Sequence, residues 1–249
     1  MKAVILAAGV GRRLGDDFAG TPKCLLTFNG RSLLERHVRL LSDLGIQEIV
    51  IGVGYQAQQI RQALKDANAR DRVRTVYNPY FERGSIVTLW ALRRELASCD
   101  ALLLMDADVL YDRRMLERLI NSPHQNVFLL DRHFEPGEEP MKLCVRDGQL
   151  VEFRKQLGND LRYDFIGESV GFFRFSGPAV AARLAERSAF YFDAGEHDAH
   201  YEEAIRDLLL ADPAQFGYED ISGLPWIEID FPEDINRAKD QIINRLSAE

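Results

Sequence analysis

The sequence predicts an α/β fold: a Rossmann-like three-layer αβα sandwich built on a mainly parallel mixed sheet, with a small β-rich lid. Short apolar runs alternate with amphipathic stretches through the first half of the chain, the signature of strands joined by crossover helices. From "NVFLLD" onward the texture changes to β-type runs separated by turn residues. With 249 residues, 46% hydrophobic and 28% charged, the chain suits one large domain with a sizeable core.

"KAVIL" reads as a buried first strand. "RSLLERHVRLLSDLG" reads as a helix, with Ser32 and Glu35 in capping-box spacing and Gly45 as its stop. "QEIVIGV" is a second strand, "QAQQIRQALKDAN" a second helix and "RVRTVYN" a third strand. "SIVTLWALRREL" continues as a single helix, followed by the strand "DALLLMD" and a helix from Arg113 to Ile120. In the second half, "MKLCVRDGQLVEF" is a hairpin about Asp147-Gly148, and "DFIGESVGFFRFSG" is a strand pair or one bent strand. A helix starts at Ser176 and Pro178, "HDAHYEEAIRDLLLA" is helical, "LPWIEID" is a strand, and "PEDINRAKDQIINRL" is a closing helix with proline near its start. The expected organisation is a single domain over 1–249, with a first half at 1–131 and a second half with the closing helix at 132–249.

Composition excludes several classes of function. Lys+Arg 31 against Asp+Glu 39 gives a net charge of -8, unsuited to nucleic acid or an anionic membrane surface. Any phosphate must therefore meet a local cluster of donors. Cys24, Cys99 and Cys144 are scattered without a CxxC pair, which fits a reducing compartment and argues against a disulfide framework. The apolar run from Ala3 to Ala8 is too short for a signal-peptide core, and no segment approaches the ~20 apolar residues of a membrane span. A cytoplasmic protein, monomer or homodimer, is expected.

The opening "MKAVILAAGVGRRLGDDFAGTPKCLL" carries the most information. Backbone amides at a glycine-rich turn can approach an anion because no Cβ intervenes. Gly9, Gly11 and Gly15 are spaced GxGxxxG, one residue off the dinucleotide fingerprint, and no Walker pattern is present. Glycine clusters are also common at strand ends for purely structural reasons. Arg13 and Lys23 beside exposed amides favour a triphosphate.

"LAAGVGRRL" followed by "TPKCLL" resembles the sugar-nucleotide pyrophosphorylase signature, LAAGxGxRL then PKxL, of the GT-A-like nucleotidyltransferase superfamily. The resemblance implies transfer of a nucleotidyl group from a nucleoside triphosphate to a phosphorylated small molecule, with Arg13 and Lys23 as the catalytic pair. It further implies nucleotide contacts from Leu6, Ala7, Ala8, Gly9, Gly11, Arg13, Asn78, Gly84, Ser85 and Asp106. The superfamily's metal aspartates fall on Asp108, in "LLLMDADVLYD", and on Asp230, in "WIEIDFPED", with Mg²⁺ as the implied cofactor. Magnesium favours one or two carboxylates together with substrate phosphates, and ligands of open parallel sheets gather at strand carboxyl ends. Two other readings stay open: Asp106 as a solvated strand end, and Asp230, with Glu233 three residues on, as the N-cap of the last helix.

Nearly the whole chain is similar to the short phosphocholine cytidylyltransferase branch, which implies CTP and a small phosphorylated or phosphonate alcohol as partners. Expected acceptor-side residues are Lys142, Lys155, Glu168, Asp198 and Tyr201. Asp198, Tyr201, Glu202 and Glu203, with Tyr191 and Trp226, are placed to form an acidic, aromatic enclosure, although a core tyrosine on a solvated acidic helix gives the same pattern. Lys142 stands where that branch tends to have an aromatic residue. This keeps 2-aminoethylphosphonate and inositol-1-phosphate beside phosphocholine as acceptors. The sequence shows no hexapeptide repeats, so an acetyltransferase activity is not expected. His197 and His200, three apart, lack the further ligands that a zinc site demands. Sugar-1-phosphate nucleotidyl transfer, a nucleotide-sensing domain without turnover, and a DxD glycosyltransferase are the rival readings. The last has no use for the glycine loop, Arg13 and Lys23 around a triphosphate.

Overall fold

The run "KAVILA" forms β1 (Lys2–Ala7), buried along nearly its whole length as a central parallel strand must be. These coordinates are a computed structural model that describes residues 1–15, 18, 20–67, 69, 72–135, 137 and 140–247. After the glycine loop come a short hairpin, β2 (Thr27–Phe28) and β3 (Arg31–Ser32), and then α1 (Leu33–Asp43). The hairpin turns on Asn29 and Gly30, at φ of 49° and 77°, the positive pair that a tight reversed turn requires. Ser32 caps α1 as expected: its Oγ accepts from the Glu35 N–H at 3.1 Å.

The chain continues with β4 (Glu48–Val53), α2 (Ala57–Asp66), β5 (Val73–Tyr77), α3 (Ile86–Ala91), α4 (Arg93–Ala97) and β6 (Ala101–Asp106). Asn68, the last residue of the predicted second helix, lies outside the described residues. The helix predicted over "SIVTLWALRREL" is interrupted at Leu92, whose N–H is shared between the carbonyls of Thr88 and Leu89 at 3.2 and 3.1 Å. Next are β7 (Val109–Tyr111), α5 (Arg113–Asn121), β8 (Asn126–Asp131), β9 (Lys142–Arg146), β10 (Gln149–Arg154) and β11 (Phe165–Ser176). The chain closes with α6 (Pro178–Asp193), α7 (Tyr201–Ala211), β12 (Phe216–Asp220), β13 (Trp226–Glu228) and α8 (Pro232–Arg237). Beyond α8 the predicted closing helix loses α geometry, widening over Ala238–Ile242 and tightening over Ile243–Arg245.

Among the described residues, nine strands share one sheet in the order β10-β9-β11-β6-β1-β4-β5, with β8 on β11 and β12 on β8. The half β6-β1-β4-β5 is parallel, and the half around β11 is antiparallel apart from the β8–β12 pair. β11 is the bent strand anticipated. Its first residues pair with β9 and its last with β6, and Gly171, at φ +77°, lies where the register with β8 slips. The β9–β10 hairpin turns at Asp147 and Gly148 as expected, and β11 joins it to the main sheet.

Strand alternation sends side chains to two cores. Ile5, Ile51, Leu103 and Met105 pack with α1, α2 and α5, while Val4, Val50, Leu104 and Phe173 pack with α3, α4, α6 and α7. This is the three-layer sandwich. A third cluster joins Leu14, Phe28, Leu33, Ile227, Ile229 and Ile235, fastening the opening loop to the end of the chain. The parallel strands β1, β4 and β6 end at Ala7, Val53 and Asp106 on one rim, the rim where such sheets bind ligands. No helix among the described residues is long and apolar enough to cross a membrane. The Ser32→Ala variant is expected to lose about 1 kcal/mol of stability through its missing cap, read as a lower urea midpoint with an unchanged m-value.

Candidate active site

A cleft of about 1000 Å³ opens at that rim. Its first wall is the glycine loop. Gly11 adopts the left-handed conformation (φ 68°, ψ 34°), and the single helical turn Arg12–Leu14 follows it, with Leu14 sunk in the third core. A Cβ on Gly11 would stand 3.1 Å from Cγ of Lys23, so the glycine gives the lysine stem its channel. Lys23 begins the turn Lys23–Leu25 directly after Pro22, and buried Cys24 fixes that turn from beneath.

Lys23 is the hub of the cleft. Its Nζ donates to Asp108 Oδ2 at 2.9 Å and to Asp230 Oδ1 at 2.5 Å. Arg13 reaches the other oxygen of Asp230 at 2.8 Å and lies over the Phe231 ring, 5.3 Å from its centroid. Burial opposes the charge on Lys23, but the carboxylates of Asp108 and Asp230 outweigh it and hold the ammonium above its ordinary value. Asp108 and Asp230 meet because β13 pairs with β7 and the Ile229 N–H donates to the Asp108 carbonyl at 2.9 Å. The N-cap reading of Asp230 gives way here. Asp234 Oδ2 accepts the N–H groups of Asp230 and Phe231 at 3.0 and 2.8 Å, leaving the Asp230 side chain to the two cations.

Carboxyl oxygens of Asp108, Glu228 and Asp230 lie within 4.8 Å of one another. Three hard oxygen donors at this spacing fit a divalent cation such as Mg²⁺ or Ca²⁺ and offer nothing to a thiophilic metal. The sequence reading missed Glu228. Its signal was available, since Glu228 and Asp230 are two apart around a strand end and so share a side.

Asp106 has a different environment from Asp108. The Tyr201 hydroxyl donates to its Oδ2 at 2.8 Å, and burial, followed by the charges of Glu202, Asp108 and Glu228, pushes its pKa up. A Cβ on Gly171 would come within 2.1 Å of the same oxygen, so the β11 bend makes room for this carboxyl. Between the two aspartates, the Ala107 carbonyl accepts from His37 Nε2 at 3.1 Å, while the Tyr111 hydroxyl sits 3.3 Å from Nδ1. A carbonyl only accepts, so the ring carries its proton on Nε2. Burial pulls the His37 pKa down to about 4, the Ala107 bond offsetting part of the shift.

Of the residues singled out from sequence, Leu6, Ala7, Ala8, Gly9, Gly11, Arg13, Lys23, Ser85, Asp106, Asp108, Lys155, Glu168, Tyr201 and Asp230 line this one cleft. Four others do not. Asn78 is buried and shapes its own loop, its Oδ1 accepting the Tyr80 N–H at 2.8 Å and its Nδ2 donating to Thr88 at 3.0 Å. Gly84 lies against the 197–199 loop, where a Cβ would meet the Ala199 carbonyl at 2.4 Å. Lys142 gives its ammonium to the carbonyls of Lys155 and Pro140, at 2.6 and 3.3 Å. Asp198 is an exposed partner of Arg83. The proposed enclosure is only half assembled: Tyr201, Glu202 and Trp226 face the cleft, while Glu203 pairs with Arg154 and Tyr191 with Asp207. His197 packs on Phe192 and Tyr80.

Two expectations follow from this packing. The Gly171→Ala variant forces a side chain into a left-handed position and onto Asp106, and should lose about 2 kcal/mol or more in urea unfolding. Because the His37 pKa is lowered in the fold from 6.5 to about 4, the unfolded chain takes up that proton first. Stability should therefore fall as pH drops from 6.5 towards 4. Long-range ¹H–¹⁵N NMR should find a neutral ring protonated on Nε2 at pH 5.5.

The model of the MobA-like NTP transferase domain family matches residues 3–168. A CMP-5'-(3-aminopropyl)phosphonate synthase of Streptomyces rubellomurinus is 28% identical over 244 residues, covering 96% of this chain and 38% of that protein. A choline-phosphate cytidylyltransferase of Streptococcus pneumoniae is 28% identical over 251 residues, covering 98% of this chain and 99% of that protein. Against some of its other curated relatives the chain spans only about half their length. The solved structure of the CTP:phosphocholine cytidylyltransferase from Streptococcus pneumoniae superposes with a TM-score of 0.76 at 22% identity, covering 96% of this chain and 97% of that one. The fold is shared, and the chain belongs to the MobA-like NTP transferase family.

Proposed function

We propose that this cleft transfers a cytidylyl group from CTP to a small phosphorylated or phosphonate alcohol, releasing pyrophosphate. The observation that carries the reading is the meeting of Lys23 and Arg13 with Asp108 and Asp230 beside the glycine loop. A phosphate monoester has its second pKa near ~6, so the attacking oxygen arrives ionised and needs no general base. That oxygen forms a bond to the α-phosphorus, and the bond from this phosphorus to the bridging oxygen breaks, the electron pair leaving with pyrophosphate. The obstacle is repulsion between two anions, and the chain's task is to place charge and exclude misalignment.

The glycine-loop amides and Arg13 receive the triphosphate, and Lys23 lies between it and the carboxylates. Asp108, Glu228 and Asp230 would hold Mg²⁺, which when bound supplies further neutralisation of the phosphate oxygens. Preference for cytosine rests on relatives named as cytidylyltransferases and as a CMP-phosphonate synthase. The three cysteines are free and buried, which supports a reducing, cytoplasmic setting.

Pyrophosphate release should be measured with four nucleotides crossed against phosphocholine, 2-aminoethylphosphonate, inositol-1-phosphate and glucose-1-phosphate. CTP with one of the first three is the expected productive pair, and EDTA should abolish it. Lys23→Ala and Asp108→Asn should each lower turnover on the order of 10²- to 10³-fold while unfolding cooperatively. Near-normal turnover in both would remove the roles assigned to these residues. Activity with glucose-1-phosphate alone would replace the acceptor class, and silence with every pair would favour a nucleotide sensor.

A further inference from the structure

The acids that fit a divalent ion already hold cations of the chain itself. Asp108 Oδ2 and Asp230 Oδ1 both accept from the one Lys23 ammonium, at 2.9 and 2.5 Å. The other oxygen of Asp230 lies 2.8 Å from the Arg13 guanidinium. Asp230 thus has a cation on each oxygen, and Nζ of Lys23 fills the bridging position between the two aspartates. The two cations are held differently. The Arg13 side chain is 44% exposed and meets Asp230, whereas that of Lys23 is 14% exposed and meets both acids.

The Lys23 stem runs along the glycine loop. Its Cγ, Cε and Cδ lie 3.1, 3.6 and 3.8 Å from the place a Gly11 Cβ would take. A lysine is a compact charge on a flexible stem with rotatable donors. Turning its outer bonds can carry the ammonium from carboxylate to phosphate while the Lys23–Leu25 turn keeps its place. Magnesium binds oxygen ligands at about 2.0–2.1 Å. An ion bridging Asp108 and Asp230 at that distance, and an ammonium on the same two oxygens, would be like charges in contact and largely out of water. Glu228 adds attraction for the ion but does not part the two.

Resting on the nucleotidyl-transfer reading of the cleft, we propose that Lys23 is a placeholder for the divalent ion. Its ammonium and the ion exclude one another on Asp108 and Asp230, and a triphosphate admits the ion by drawing the ammonium to itself. Metal and nucleotide are then linked ligands, each tightening the other by the same factor. A metal–triphosphate complex brings some linkage of its own. The share described here runs through one side chain and disappears with it.

The test is calorimetric binding of Mg²⁺ to wild type, Lys23→Met and Arg13→Met, each alone and saturated with a CTP analogue carrying a methylene α–β bridge. Without the analogue, Lys23→Met should bind Mg²⁺ about 10- to 100-fold more tightly than wild type, and Arg13→Met should gain much less. The factor by which the analogue tightens Mg²⁺ should shrink correspondingly in Lys23→Met. Wild type gives a reading that needs no variant to fold. Its Lys23 ammonium signal, assigned through bonds in ¹H–¹⁵N spectra, should shift when Mg²⁺ and the analogue are bound together. Saturation by Mg²⁺ with that signal unmoved, or equal gains in the two variants, overturns the placeholder role. Turnover beside either of those results leaves nucleotidyl transfer standing. The predicted exchange without turnover on any acceptor keeps the placeholder and overturns the transfer reading. No Mg²⁺ binding in any of the three proteins, with or without the analogue, overturns both.

Discussion

One ammonium between two carboxylates organises this protein. Lys23 joins Asp108, at the end of the central sheet, to Asp230, 207 residues further along the chain. Its side chain is 14% exposed, so the cluster is held largely out of water. Removing one partner from a buried ion set typically costs 3–5 kcal/mol, because the remaining charge is stranded. The arrangement therefore constrains the fold from both ends. The loop must turn at Gly11 to admit the lysine stem, and β13 must return to β7 to present Asp230.

The same cluster divides the cleft. At one end Arg13 and Lys23 answer Asp108 and Asp230 while Glu228 adds a third acid beside them, so the cluster keeps an excess of negative charge. The other end is built on different terms. There burial raises Glu168 and Glu202, with Lys142 and Arg237 offsetting part of the shift at Glu168 and Lys155 part of it at Glu202. The cleft is polar along its length, with ion pairs at one end and buried carboxyls at the other.

Much of this was legible in the sequence, for reasons that differ by element. The opening motif was readable because glycines at positive φ, a proline before the lysine and an arginine at fixed spacing are local demands, met within a few residues of chain. Strand–helix alternation was readable because each element shows its own period. β12 was missed because "FGYED" is short and ends on two acids; its place comes from pairing with β8, a tertiary effect. The β2–β3 hairpin was missed although Asn29-Gly30 announced it. Asn78 and Gly84 were expected as nucleotide contacts by resemblance, and their surroundings have them holding loops. No local pattern distinguishes an asparagine that touches a ligand from one that shapes the backbone beside it.

The contrast between Asp106 and Asp108 carries this furthest. In sequence they are the two ends of one DxD, interchangeable by type and two residues apart. The structure divides them by what stands opposite. A phenol and a glycine-made hollow receive Asp106, and burial, with neighbouring acids, raises its pKa. Asp108 meets an ammonium. The residue between them is held through its carbonyl by a neutral histidine from α1, so the bend that separates the two environments is itself pinned from the core. A buried neutral imidazole does this without adding a third cation beside Lys23 and Arg13. Were His37 charged, its field would reach Asp108 and compete with Lys23; burial keeps the two roles apart.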